Sequence, residues 1–273
     1  MDEPVSVNEL TLQTDARPAD WVVAAVRDFE DHVVGCLVPP VFGAYARVFH
    51  PARRTVEGAG RTEGSGKAEG SGRTGDAEGA EQEVTWTEVA RANGRTPHPA
   101  MQWPSITGSW RFLREDGQPG IWDDLPAVGS LPMRQAARLV HLLSAYTTTP
   151  ERCWFAVWEG FGDLGLPVGS GIARVEMPAR SMLLLTGPLR AATTSLAATP
   201  WCDQRAGLWW PHDRAWCVAT DVDLMTTYVG GGEACVAALV ADEELEAMEV
   251  GSDQRLTWDS DPANPVPPTG DRY

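Results

Sequence analysis

The chain has 273 residues, with 38 acidic and 22 basic side chains, and its formal net charge is −16. Phosphate backbones and anionic lipid surfaces repel such an acidic protein, so we expect neither nucleic acid nor a membrane as a partner. Hydrophobic residues make up 43% and aromatic residues 8% of the chain, which excludes wholesale disorder.

The chemistry of the chain favours a cytoplasmic protein. No basic and apolar segments mark a signal peptide at the N-terminus. The longest uncharged apolar stretch, Val33 to Ala46, contains Pro39-Pro40 and is too short to span a bilayer. The five cysteines are odd in number and form no CxxC pair, which favours reduced thiols.

Helical segments are predicted where apolar residues recur at spacings of three and four. They are Pro18–His32, a short helix after Thr85, a helix between Ser130 and Pro150, and Glu233–Ala241. The strongest local signal is Thr85-Trp-Thr-Glu88, which matches a capping box, with Gly94 as the stop signal of that helix. We expect Ser130 to cap the third of these helices.

One segment differs in composition from the rest of the chain. Residues 55–83 are rich in glycine and glutamate, lack aromatic residues and repeat a Glu-Gly-x-Gly hexad that offers no apolar face. We predict a disordered insertion there, which interrupts a single domain formed by 1–54 and 84–262. The proline-rich end of the chain, 263–273, is predicted to be a flexible tail.

The second half of the chain changes to short apolar runs that are typical of strands. Cys153–Trp158 is apolar throughout, which predicts a central strand covered on both faces. Further strands are predicted at Ile172–Met177, Ser181–Thr186, Ala215–Asp221, Thr226–Val229, Glu246–Val250 and Arg255–Trp258. Helices early and strands late predict an α+β fold, with a largely antiparallel sheet and about three to four helices.

Two carboxylates follow a predicted strand end, where metal ligands often lie. Asp221 and Asp223, together with His212, would contribute to a divalent-cation site if the fold brought them together. The protein would then be a metal-assisted hydrolase that acts on a small molecule. The alternative is that these acids serve as turn and cap residues.

The most distinctive segment is Leu208–Asp221, which holds three tryptophans and an arginine. An exposed platform of Trp209, Trp210 and Trp216 would stack a partner's side chain, a base or a sugar. Alternatively, the rings anchor a loop to the sheet. Because tryptophan and arginine are enriched in interface hot spots, we take these three residues and Arg214 as candidate binding residues.

The segments Val84–Pro99, Cys153–Gly160 and Leu208–Asp221 resemble a family of uncharacterised soluble actinobacterial proteins. The resemblance covers nearly all of the chain outside 55–83. It implies a cytoplasmic protein with a single domain. The family has no assigned activity, cofactor or catalytic residue, so the resemblance leaves the function open.

These observations favour a non-enzymatic cytoplasmic binding protein of inhibitor or immunity type. It would present an acidic, tryptophan-bearing surface to a basic protein, because complementary charge speeds association. Neither a nucleophile elbow nor a paired-histidine motif supports catalysis, and no cofactor is expected. The alternatives are the metal-assisted hydrolase and carbohydrate binding through the tryptophans.

Overall fold

A computed structural model of the chain describes residues 6–56, 80–114, 117–166 and 171–268. The α-helices in this part of the chain are α1 Asp20–Ala25, α2 Trp86–Ala92, α3 Trp103–Thr107, α4 Met133–Leu143 and α5 Glu233–Val240. The strands are β1 Ser6–Val7, β2 Leu10–Leu12, β3 Ala44–Phe49, β4 Ala52–Val56, β5 Ala80–Val84, β6 Cys153–Trp158, β7 Arg174–Met177, β8 Arg180–Gly187, β9 Leu208–Pro211, β10 Trp216–Ala219, β11 Thr226–Gly231 and β12 Ala247–Val250.

Ten of these strands form one sheet, in the order β1-β2-β8-β6-β9-β10-β11-β3-β12, with β7 paired to β8. The pairings are antiparallel, and β4 and β5 form a separate antiparallel ribbon. The predicted α+β fold with a largely antiparallel sheet is therefore confirmed. The described residues hold five α-helices, whereas the sequence predicts three to four. The sequence does not predict α3, because a helix of five residues is too short to show a periodic apolar pattern.

Strand β6 is the central, doubly covered strand that its apolar run predicts. It lies between β8 and β9. Phe155 and Val157 belong to an apolar cluster that also contains residues of α4 and α5, whereas Trp154 and Ala156 belong to the cluster around α1. No helix in the described ranges is long and apolar enough to cross a bilayer.

The first helix is much shorter than the predicted Pro18–His32. Helix α1 ends at Ala25, because Val26 is extended, with ψ at 150°. The following Arg27 donates its backbone N–H to Gly35 O at 2.9 Å, a bond that a continued helix would not allow. The chain instead makes two 3₁₀ turns, Phe29–Asp31 and Val34–Cys36.

Two further local predictions are corrected by contacts between distant segments. Helix α4 has no side-chain cap, because the Ser130 hydroxyl accepts the backbone N–H of Arg205 instead. The predicted strand Arg255–Trp258 is not formed, and Arg255 makes only a single bridge to Val33.

The edges of the predicted insertion are ordered. Thr55 pairs with Glu81 and Val56 with Ala80 in the β4–β5 ribbon, so the boundaries 55 and 83 were too wide. Charged and β-branched residues at the two ends of the segment are compatible with a solvent-exposed ribbon. The high glycine content of the segment as a whole hides this local pattern. The remaining residues of the predicted insertion, 57–79, lie outside the described part of the chain.

The predicted flexible tail is anchored at two buried residues, Asn264 and Pro267. Asn264 is 5% exposed, and its side chain bonds both the N–H and the carbonyl of Thr96, at 2.9 and 3.0 Å. Trp110 donates its Nε1–H to Pro267 O at 2.8 Å. The Asn264 side chain and the carbonyl of Pro267 therefore attach this segment to the domain. Its proline content alone predicts a flexible end. Residues 269–273 lie outside the described ranges.

Candidate functional site

The three tryptophans of the predicted platform lie in the core. Trp209, Trp210 and Trp216 are each at most 2% exposed. Trp209 and Trp216 meet edge to face at 5.4 Å on one side of the sheet, and the Trp216 Nε1–H donates to Leu143 O at 3.1 Å. On the other side, Trp210 packs against Trp21 at 6.1 Å.

These three residues therefore form no exposed stacking platform, and the prediction that their rings bind a partner at the surface is wrong. Strands β9 and β10 are buried on both faces, so both sets of alternating side chains are needed to fill the core. Carbohydrate binding through the same rings loses its basis for the same reason.

Arg214 occupies the turn between β9 and β10 with a positive φ of 57°. Its guanidinium lies 5.3 Å from the ring of Trp21, which is not one of the three predicted platform tryptophans. The neighbouring Asp213 accepts bonds from Thr147 and Thr148, which attaches the turn to the loop before β6. These contacts hold Arg214 in the turn, and Trp21 lies between its guanidinium and the buried ring of Trp210.

The structure separates the candidate metal ligands. His212 lies in the turn that joins β9 to β10, whereas Asp221 and Asp223 follow the opposite end of β10. Among the described residues, no group of three or more histidine, cysteine or carboxylate side chains is arranged to hold a metal ion. The two carboxylates and the histidine therefore form no common site.

Asp221 and Asp223 instead share one arginine. Arg180 donates from Nε to Asp221 Oδ2 at 3.1 Å and from Nη2 to Asp223 Oδ2 at 2.7 Å. The guanidinium also lies 5.2 Å from the ring of Trp158 and 5.9 Å from that of Phe29. Two carboxylates and two aromatic rings thus hold this cation at the surface end of β8.

Around this arginine lies a shallow surface depression, which we call the Arg180 groove. It consists of two adjoining hollows of about 40 and 140 Å³ that share Phe29, Cys36, Leu37 and Asp221. Its further apolar lining includes Trp158, Phe161, Met177, Met182 and Leu208 at one end and Leu224, Leu256 and Trp258 at the other. The groove is therefore apolar at both ends and charged in the middle.

Close backbone contacts build the floor of the groove. A Cβ at Gly129 would lie 2.5 Å from Val222 O, and the φ of Gly129 is +76°. A Cβ at Gly207 would lie 2.9 Å from Thr220 O. A larger residue at either position would push these segments apart, so the shape of the floor depends on both glycines.

The groove has an acidic border. The Asp223 side chain is 74% exposed, whereas that of Asp221 is only 10% exposed. The residues next to the lining in sequence include the exposed acids Asp28, Glu30, Asp31 and Asp259 and one exposed base, Arg255. Because Arg180 is already paired with two carboxylates, the groove favours a cation over an anion.

Cys36 lies where the two hollows meet, but it is not built as a nucleophile. Its side chain is buried, and its thiol donates to Asp28 O at 2.8 Å. Burial raises the pKa of the Cys36 thiol. The thiol is therefore held in its unreactive, protonated form.

No family model matches the chain, and no curated protein or solved structure matches it either. The resemblance to uncharacterised actinobacterial proteins therefore stays a prediction. The site is therefore supported by its geometry alone. Arg180, the residue at its centre, is not among the candidates that the sequence predicts. Its only signal in the sequence is a basic residue between two predicted strands, 41 and 43 positions from the two acids that it binds.

Proposed function

We propose that this chain is a non-enzymatic, cytoplasmic binding protein that recognises a basic protein through the Arg180 groove. The observation that carries the proposal is the exposed carboxylate of Asp223, which lines the larger of two adjoining apolar hollows and bonds Arg180, which lines the smaller one. In this proposal Trp158 and Trp258 contact the partner, the role that the sequence analysis predicts for Trp209, Trp210 and Trp216. Both are only partly buried and line opposite ends of the groove.

The size of the groove supports a protein partner over a small substrate. Pockets that enclose drug-sized molecules measure roughly 300–1,000 Å³. The two hollows measure about 40 and 140 Å³. Spaces of this size accept individual side chains of a larger partner, as interface hot spots do, rather than surrounding a substrate and excluding water.

The charge of the groove and of the whole chain supports a basic partner. Arg180 bonds the Oδ2 of Asp223, yet most of the Asp223 side chain faces solvent and can accept a lysine or arginine. The net charge of −16 would add long-range attraction to a cationic protein and raise the association rate.

A metal-assisted hydrolase stays the alternative hypothesis, with weaker support. Asp221 and Asp223 would have to exchange Arg180 for the metal ion, and His212 lies at the other end of β10. Thermal unfolding with Mg²⁺, Mn²⁺ and Zn²⁺ tests this hypothesis, because an ion that binds only the folded state raises the Tm. A rise that Asp221→Asn abolishes would support the metal site that the hydrolase requires, and an unchanged Tm would contradict the hypothesis.

The proposed function is tested by selecting displayed peptides on the immobilised protein. We expect enriched sequences in which an arginine or lysine stands beside apolar residues. Asp223→Lys should abolish binding of these peptides. Glu243→Lys is the matched control, because it makes the same change in net charge at an exposed residue that does not line the groove. Peptides without basic residues, or equal binding to Asp223→Lys, would contradict the proposal.

A further inference from the structure

A second hollow lies between the β4–β5 ribbon and the N-terminus of α4. Its volume is about 400 Å³, which is within the range of small-molecule sites. Its lining is chiefly polar and includes Glu83, Ser130, Arg134, Gln135 and Asp203. It shares no lining residue with the Arg180 groove. The two sites therefore require separate explanations.

One lining residue carries an unused hydrogen-bonding group. Gln135 is 3% exposed and donates from Nε2 to Glu83 Oε1 at 3.2 Å. Its Oε1 is buried and has no hydrogen-bond partner among the residues that the structure describes. Buried amide oxygens are normally paired, so this oxygen favours a ligand, or water, that supplies a hydrogen-bond donor.

The charges around the hollow favour a neutral ligand. Glu81, Glu83 and Asp203 oppose an anion, and Arg53 and Arg134 oppose a cation. The positive end of the α4 dipole, which no side chain caps, opposes a cation as well.

The ion pairs within the hollow are loose. The N···O distances are 3.4 Å for Arg134–Glu83 and 3.6 Å for Arg53–Glu81, longer than good hydrogen bonds. These side chains therefore retain donors and acceptors that a ligand could use. Hydroxyl groups fit this mixed lining best, because each one both donates and accepts a hydrogen bond.

We propose that this hollow binds a small neutral polyhydroxylated molecule of the sugar or polyol class. Its hydroxyls would bond the unpaired Oε1 of Gln135 and the loosely paired carboxylates and guanidiniums. The site adds a small-molecule ligand to a protein whose proposed partner binds elsewhere, and its test is independent of the Arg180 groove.

The experiment is a calorimetric titration of the full chain with glucose, galactose, ribose, trehalose and myo-inositol. Putrescine and inorganic phosphate serve as charged comparison probes. We expect saturable binding of at least one neutral probe. Gln135→Leu should weaken it about tenfold or more, because the amide oxygen and its neighbouring donor are lost. Gln13→Leu makes the same chemical change outside the hollow and should leave binding unchanged.

A second variant guards against a folding defect in Gln135→Leu. Val128 lines the hollow and is 50% exposed, so Val128→Trp fills space at the surface without disturbing the core. It should also weaken binding of the neutral probe. Binding of no neutral probe, binding of putrescine or phosphate alone, or unchanged affinity in both lining variants would overturn the proposal.

Discussion

Arg180 donates from one nitrogen, Nη2, to the Oδ1 of Asp221 at 3.2 Å and to the Oδ2 of Asp223 at 2.7 Å. This shared contact separates two carboxylates that look equivalent in the sequence. The side chain of Asp221 is 10% exposed and receives a second bond from the arginine, whereas that of Asp223 is 74% exposed. Asp221 therefore fixes the arginine, and Asp223 is available to a partner.

Neutral substitutions should reveal this difference in stability. Asp221→Asn leaves a largely buried guanidinium without its doubly bonded carboxylate, so we expect the free energy of unfolding to fall by about 2 kcal/mol. Asp223→Asn removes one exposed contact and should change it by less than about 0.5 kcal/mol. Urea unfolding of both variants measures the difference. Equal losses would show that the two carboxylates have the same role.

The core position of Trp216 predicts a large effect of its truncation. Trp216→Ala removes a fully buried ring and its bond to Leu143 O, so we expect a loss of about 3–5 kcal/mol in the free energy of unfolding. Trp201→Ala is the control, because Trp201 is 81% exposed and should cost less than about 0.5 kcal/mol. A small effect of Trp216→Ala would restore the hypothesis of a surface platform.

His50 predicts a specific dependence of stability on pH. Burial lowers its pKa to about 4, and its ring nitrogens contact Ala127 O at 2.7 Å and Thr227 Oγ1 at 2.9 Å. These contacts fit a neutral ring that donates from Nδ1 and accepts at Nε2. The unfolded histidine binds a proton below about pH 6.5, whereas the folded one does not.

The free energy of unfolding should therefore fall as the pH drops from about 6.5 towards about 4, by on the order of 3 kcal/mol from this residue. Urea unfolding across this range, with NMR titration of the His50 ring, provides the measurement. His50→Asn should reduce the slope, and the exposed control His141→Asn should leave it unchanged. A His50 resonance that titrates near pH 6.5 would be incompatible with this prediction.

The last paired residues of the β4–β5 ribbon predict that residues 57–79 are dispensable for folding. Because Val56 lies opposite Ala80, a two-residue Asn-Gly turn can join the strands directly. Closing a shorter loop costs less entropy, so the Tm should stay the same or rise. Differential scanning calorimetry checks this, and a clear fall in Tm would show that the removed segment stabilises the fold.

Predictions from the sequence succeed where short-range chemistry decides the structure. Thr85 and Glu88 form both bonds of the predicted capping box, because the two residues lie one helical turn apart. The apolar run Cys153–Trp158 becomes a central strand, because no polar face remains that could face solvent. In both cases residues within six positions of one another are sufficient to predict the structure.

Predictions fail where the deciding contact joins distant segments. The segment after α1 is held by the bond from the Gly35 N–H to Ser252 O, and the Arg180 groove depends on two acids that lie 41 and 43 residues from the arginine. The Trp209–Trp210 pair is equally compatible with a platform and a core. Only the apolar clusters packed on the two faces of the sheet show that both rings are buried.

The most direct test of the proposed binding groove is the indole N–H spectrum of the protein on titration with a selected basic peptide. The chain has 12 tryptophans, and single substitutions to phenylalanine assign their signals. We predict that the signals of Trp158 and Trp258 shift with peptide concentration, while those of the core residues Trp209 and Trp216 stay in place. Shifts confined to Trp201 or to other tryptophans outside the groove would contradict the account.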